Sequence, residues 1–163
     1  MNKITLFIPI FILLLLLAAC NGGGESFDPK VEEEQATEVI NSVLTSFEDQ
    51  ERLAEGKTRD EANPIAWEKL KKKNTKAISN DLIEEDQRRL LYLLTTNKAE
   101  DLANGGTKAN LLFSQDTKNK NVSFKETTKS YTFDIERSGF DHKLITLEKQ
   151  EGVWKIVTVL DPE

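Results

Sequence analysis

The stretch Tyr131-Thr132-Phe133-Asp134-Ile135-Glu136 alternates apolar and polar residues. The same period of two returns in His142 to Lys149 and in Val153-Trp154-Lys155-Ile156-Val157-Thr158-Val159-Leu160. Successive side chains of a strand point to opposite faces, so this alternation predicts strands with one buried face. Gln150-Glu151-Gly152 is a short glycine-containing turn and predicts that the last two strands form a hairpin. Within the last strand, Trp154, Ile156 and Thr158 are expected on one face, Val153, Val157 and Val159 on the other. Leu111 and Phe113 share one side of an earlier strand, giving a sheet of about four strands.

Upstream the period lengthens. Ala36, Val39, Ile40, Val43, Leu44 and Phe47 form an apolar stripe at helical spacing, predicting a helix over Val31 to Phe47. Glu32, Glu33 and Glu34 fall in its first turn, where the helix dipole favours negative charge. The polar stretch Glu48 to Ala62 reads equally as an extension of this helix or as a loop. Asn63-Pro64 predicts an N-cap and first position for a second helix through Ile65, Ala66, Trp67 and Leu70. Asp81 with Glu84 predicts the start of a third, burying Leu82, Asp86 or its neighbours, Leu90, Leu93 and Leu94. Asn104-Gly105-Gly106 is expected to end the helical region. Helices followed by an antiparallel meander define an α+β fold, with the N-terminal helices on one face of a curved sheet.

At Gly152-Val153-Trp154-Lys155-Ile156 the chain resembles the nuclear-transport-factor-two-like (cystatin-like cone) superfamily. Many of its members begin with helices and finish in a strand of this Gly-x-Trp-Lys-Ile type. The resemblance spans residues 30–160 and implies a cone-shaped fold. It implies no particular activity, because that fold hosts enzymes and binding modules alike.

The N-terminus carries a second pattern. Lys3 is followed by an apolar run from Leu6 to Leu17, interrupted by Pro9, and then by Leu17-Ala18-Ala19-Cys20. The run is short of the roughly 20 apolar residues that a membrane-spanning helix needs. The small residues before Cys20 suit a peptidase groove, and the tetrad resembles the lipobox of bacterial lipoproteins. That resemblance implies cleavage between Ala19 and Cys20, with a diacylglyceryl group on the Cys20 thiol and acyl chains such as palmitate. The expected organisation is a signal peptide over 1–19, a lipidated cysteine and flexible tether over 20–29, and a single α+β domain over 30–163. Gly22, Gly23 and Gly24 lie in the tether and give it coil-like flexibility.

Charge and cysteine count narrow the classes further. Loss of residues 1–19 removes Lys3 and no acidic residue, moving the formal charge from −6 to −7. An acidic domain is a poor match for phosphate backbones, so nucleic acid is not an expected partner. Cys20 is the one cysteine of the chain, which excludes a disulfide framework.

Recognisable chemistry is sparse. His142 is the one histidine, and no His-Glu-x-x-His run or Gly-x-Ser-x-Gly elbow occurs. Asp141-His142 reads as a solvated turn before it reads as an acid–base dyad. Asp116-Thr117-Lys118-Asn119-Lys120-Asn121 places lysines where a calcium loop needs oxygen ligands. Gly105-Gly106-Thr107-Lys108 lacks the spacing of a phosphate loop. Both read as ordinary turns. Lys69, Lys71, Lys72, Lys73 and Lys76 form a basic patch that reads first as a solvated helix face and second as a contact for anionic surfaces. Glu84, Glu85 and Asp86 beside Arg88 and Arg89 read as helix ion pairs. Trp67 and Trp154 either line a pocket or pack in the core.

The sequence therefore predicts no enzyme, no metal and no cofactor. It predicts a monomeric binding or accessory module, lipid-anchored on the extracytoplasmic face of a bacterial, preferentially Gram-positive, cell membrane. The expected partner is an envelope protein or polymer. The runner-up is a small-ligand binder using a cone-shaped pocket, followed by an enzyme of the same fold built around His142.

Overall fold

The computed structural model describes residues 27–101, 107–138 and 141–162. The leader, the lipobox with Ala19 and Cys20, and the tether as far as Ser26 lie outside these residues, as do Asn104, Gly105 and Gly106; the expected tether boundary at 29 falls inside the first helix, which begins at Pro29. Contacts divide the chain into an N-terminal unit ending at Lys30 and a folded unit from Val31 to Glu163. Among the described residues no helix is long and apolar enough to cross a membrane.

The elements run α1 (Pro29–Leu44), β1 (Arg52–Gly56), α2 (Arg59–Lys73), α3 (Glu84–Leu94), β2 (Thr95–Asp101) and β3 (Thr107–Phe113). They continue as β4 (Thr117–Lys125), β5 (Ser130–Arg137), β6 (Asp141–Gln150) and β7 (Val153–Leu160). The fold is α+β, with its helices N-terminal to most of the strands. Two antiparallel sheets are present: a three-stranded one in the order β1-β3-β2 and a four-stranded meander β4-β5-β6-β7. The sequence predicts β5, β6 and β7, and through Leu111 and Phe113 also β3, which belongs to the three-stranded sheet and not to theirs; it omits β1, β2 and β4.

That omission has local causes. In β1 the buried residues Leu53 and Ala54 are adjacent, because the register shifts between Arg52 and Ala54, so no alternation survives in the sequence. β2 is an edge strand of polar residues. The stretch 48–62 thus resolves into a turn, a strand and the first turn of α2, and the helical region ends at Leu94, well before Asn104. Asp116 to Asn121 is likewise no turn. Residues from Thr117 onward form β4, a lysine-bearing edge strand with its charges in solvent, a composition that discourages edge pairing.

Helix starts also differ from the expected ones. α2 begins one and a half turns before Asn63-Pro64, capped by Thr58, whose Oγ1 accepts from Glu61 N–H at 3.3 Å while Glu61 Oε2 accepts from Thr58 N–H at 2.8 Å. This reciprocal pair fixes the first turn more firmly than an Asn-Pro step, and leaves Pro64 inside the helix. α3 starts after Ile83, which has no side-chain cap; Asp81 does not fill that place. α1 ends at Leu44, so Phe47 lies beyond it and meets Phe113 with ring centroids 5.4 Å apart.

The core joins Ile40 and Val43 of α1, Leu70 of α2, Leu90, Leu93 and Leu94 of α3, and the inward faces of the strands. Tyr131, Phe133 and Ile135 are fully buried, as the alternation predicts. In β7 the alternation breaks. Thr146 pairs with Thr158 and Leu147 with Ile156, leaving Val157 as an extra residue. The inward set is therefore Trp154, Ile156 and Val159 rather than Trp154, Ile156 and Thr158. The β6–β7 turn has positive φ at Glu151 (53°) and Gly152 (80°), the geometry a two-residue hairpin loop demands.

The free edge of β7 is covered. Ile156 N–H donates to Ala77 O at 2.8 Å, and Ser79 N–H donates to Ile156 O at 3.0 Å. Farther along, Asp86 Oδ2 accepts from Val159 N–H at 3.1 Å. α1 is tied down at Glu32, which accepts from Trp154 Nε1 at 2.9 Å and from Lys149 Nζ at 2.8 Å. α2 lies against β1 and β3, and α3 against β6 and β7.

Candidate functional site

The site is built where α2, α3 and the ends of the four-stranded sheet converge on Tyr92. Gly56 lets β1 run into α2 at close range: a Cβ there would sit 3.2 Å from Ala62 N. The Thr58 cap then sets Arg59 as the first helical residue. On α3, Glu85, Arg88, Arg89 and Tyr92 follow at intervals of three and four residues and share a face. β5 contributes Arg137, β6 contributes Lys143, and Asp161 follows the end of β7.

Three cationic groups surround the Tyr92 ring. Arg59 Cζ lies 4.9 Å from its centroid, Arg137 Cζ 5.5 Å and Lys143 Nζ 5.5 Å. Each such contact is favourable by roughly 0.5–1 kcal/mol near a surface, yet an aromatic face neutralises no charge. Some of the cations are balanced by carboxylates. Lys143, almost fully buried, holds Asp161 at 2.8 Å, and Arg89 reaches Asp161 at 3.0 Å and Asp86 at 2.8 Å. Arg59 and Arg137 make no ion pair among the described residues.

The Lys143 ammonium, donating to Asp161, holds that carboxyl below its ordinary range; burial opposes the shift and Arg89 reinforces it. A depressed carboxyl stabilises the fold at pH above its unfolded value of about 3.9, and that contribution disappears as pH falls through the lower folded value. The expected result is an Asp161 carbon-13 titration midpoint below about 3.9 that moves upward in Lys143→Met. A midpoint already at the ordinary value in the wild type would refute the pairing.

Three surface hollows meet around these residues. A cleft of about 690 Å³ is lined by Arg59, Asn63, Arg88, Arg89, Tyr92 and Lys143 among others. A groove of about 460 Å³ continues along the α2–α3 seam past Pro64, Trp67, Arg88 and Leu91. A polar recess of about 280 Å³ opens on the other side of Arg59 and Tyr92, toward Thr96, Asn97, Arg137 and Ser138. The groove end therefore combines Pro64, Trp67 and Leu91 with an acidic rim of Asp60, Glu68 and Glu84, and the recess end is cationic.

The residues singled out by sequence divide between this site and the rest of the fold. Trp67 is in the groove wall. Trp154 is a core residue, edge-on to Tyr131 at 5.2 Å and bonded to Glu32. The lysine run is partly engaged locally: Lys69 donates to Arg52 O at 3.0 Å, and Lys73 lies 5.7 Å from the Phe47 ring. His142 pairs through Nδ1 with Asp134 Oδ1 at 2.9 Å across neighbouring strands, in an exposed position, so Asp134 is the observed acidic partner in place of the expected turn. Among the described residues no group of three His, Cys, Asp or Glu side chains could hold a metal ion.

Arg59, Tyr92, Arg137 and Lys143 escape sequence reasoning because Arg59, Tyr92 and the Arg137–Lys143 pair are dozens of positions apart and no motif connects them. One local signal existed: Tyr92 is a large aromatic on the polar, arginine-bearing face of α3 and remains 42% exposed. The chain matches no protein-family model, no curated protein and no solved structure.

Proposed function

We propose that this protein is a bacterial lipoprotein, held by lipid on Cys20 at the extracytoplasmic face of the cell membrane, and that it works by binding an anionic envelope component. The anchor rests on Leu17-Ala18-Ala19-Cys20 behind an apolar run. The binding activity rests on one observation: an acidic protein that gathers Arg59, Arg137 and Lys143 around the exposed Tyr92, with Arg88 on the wall of the same cleft. Charge complementarity of this kind steers a partner and fixes its orientation.

The small-ligand alternative places its ligand between helices and sheet. Tyr131, Phe133, Phe113 and Trp154 occupy that interior, which favours recognition at the surface. A photoreactive residue in place of Arg88, whose side chain is 63% exposed, tests the reading in intact cells. Cross-linked envelope material is expected from position 88 and not from a control at the exposed Ser123 on β4. Equal yields from both positions would defeat the assignment of this face.

A further inference from the structure

We propose that the recess between the C-terminal end of α3 and the end of β5 is a phosphate-binding site, with Arg59 and Arg137 as its two principal donors. The inference deepens the binding reading by naming the chemical group recognised. Its strongest support is the state of Arg137. Arg137 as a residue is only 9% exposed, and of its guanidinium Nη1 alone is used, donating to the carbonyls of Tyr92 (2.9 Å) and Thr95 (2.5 Å). Those bonds cap the C-terminal end of α3, where a cation is favourable. They leave the Nε and Nη2 donors without an acceptor among the described residues. That edge of a guanidinium is the fork that grips oxyanions with two parallel hydrogen bonds.

A buried charge without a counter-ion is costly, and an aromatic face with two carbonyls offsets that cost only in part. An anion in the recess would complete the balance. Arg59, from α2, approaches the same Tyr92 ring and lines the same recess, also without an ion pair among the described residues. The side chains of Thr96, Asn97 and Ser138, on the same walls, have no hydrogen-bond partner there and supply further donors. Donors arriving from several directions match a tetrahedral phosphate better than a planar carboxylate. Asp116 is the one acid in the wall; it would accept a hydrogen bond from a monoprotonated phosphate or from a neighbouring hydroxyl. Thr95 and Ser114 are already engaged, with Leu91 O and Asp116 N–H.

The phosphate can be free or part of an envelope polymer, and the test distinguishes the two. The full chain, purified in non-ionic detergent, is titrated calorimetrically at constant ionic strength with inorganic phosphate and, separately, with a short phosphodiester oligomer. Saturable binding of at least one probe is expected, weakened about tenfold or more in Arg59→Gln, which removes one charge-assisted donor. Arg137→Lys keeps the positive charge at the α3 terminus but loses the fork, and the same weakening is expected with the thermal midpoint little changed. Tighter binding of the oligomer would assign the source to a polymer, and binding of inorganic phosphate alone would assign it to the free ion; both support the site. No saturable binding of either probe, or binding unchanged in Arg59→Gln, would overturn it. In that event position-specific cross-linking at residue 88 would leave the broader binding reading standing.

Discussion

Replacement of Cys20 by serine is expected to eliminate incorporation of labelled fatty acid completely and to leave the protein unprocessed at the membrane or shed into the medium. Thioether formation needs a thiolate, and a serine hydroxyl is a far weaker nucleophile at neutral pH. The signal peptidase implied by the lipobox resemblance would then lack its lipidated substrate. Anchoring energy grows at about 0.8 kcal/mol per buried methylene, so two acyl chains hold where a single chain is marginal. Nothing in the chain from Asn21 to Ser26 replaces them, since it carries no apolar side chain. The excess of acidic residues gives the protein no general attraction to an anionic surface. Metabolic labelling with membrane fractionation decides the matter. An unlabelled wild type, with both forms equally membrane-bound, would identify the apolar run as an anchor helix and end the lipoprotein reading.

Asp86→Ala carries the largest expected effect on stability, a loss of about 3 kcal/mol. The Asp86 side chain is 4% exposed, with one oxygen on Arg89 and the other on Val159 N–H. Arg89 keeps Glu85 and Asp161 when Asp86 is removed, so its charge is not orphaned. The dominant cost falls on the Val159 N–H, which is buried at the edge of β7 and loses the Asp86 acceptor; an unmet buried donor costs about 1–3 kcal/mol. The ion pair supplies the remainder. Urea unfolding should show a midpoint lower by about 1.5 M at a slope near 2 kcal/mol/M. Asp86→Asn keeps an acceptor for Val159 and should lose about half as much. A midpoint within about 0.3 M of wild type for Asp86→Ala would show that Asp86 does not tie α3 to the sheet.

Asp86 also illustrates where sequence reasoning reaches its limit. Its position in an amphipathic helix beside Arg89 reads as a helix ion pair, and that pair is present. Its second partner, Val159, is 73 residues away, and no local pattern announces it. Glu32 behaves in the same way. It belongs to the acidic first turn of α1, yet it is 8% exposed and accepts from Trp154 and Lys149 at the other end of the chain.

Residue order by itself determined the elements whose buried face follows a regular period. The stripe from Ala36 to Leu44 became α1, the alternation at Tyr131, Phe133 and Ile135 became β5, and Glu151-Gly152 became a tight hairpin turn. Burial of one face dictates such periods, so they survive in the sequence whatever the partner. The proposed lipid address likewise rests on residue order alone, because a peptidase reads an extended segment. Tertiary structure alone decided the pairing of β1 and β2 with β3 in a separate sheet, the bulge at Val157 and the cation cluster on Tyr92. A short polar edge strand buries too little to leave a pattern, and a bulge reverses which side chains face inward. Arg59, Tyr92, Arg137 and Lys143 acquire a shared environment only when α2 and α3 pack near the ends of β5 and β6. Coulombic and cation–π contacts depend on separation in space, which the order of the residues does not record.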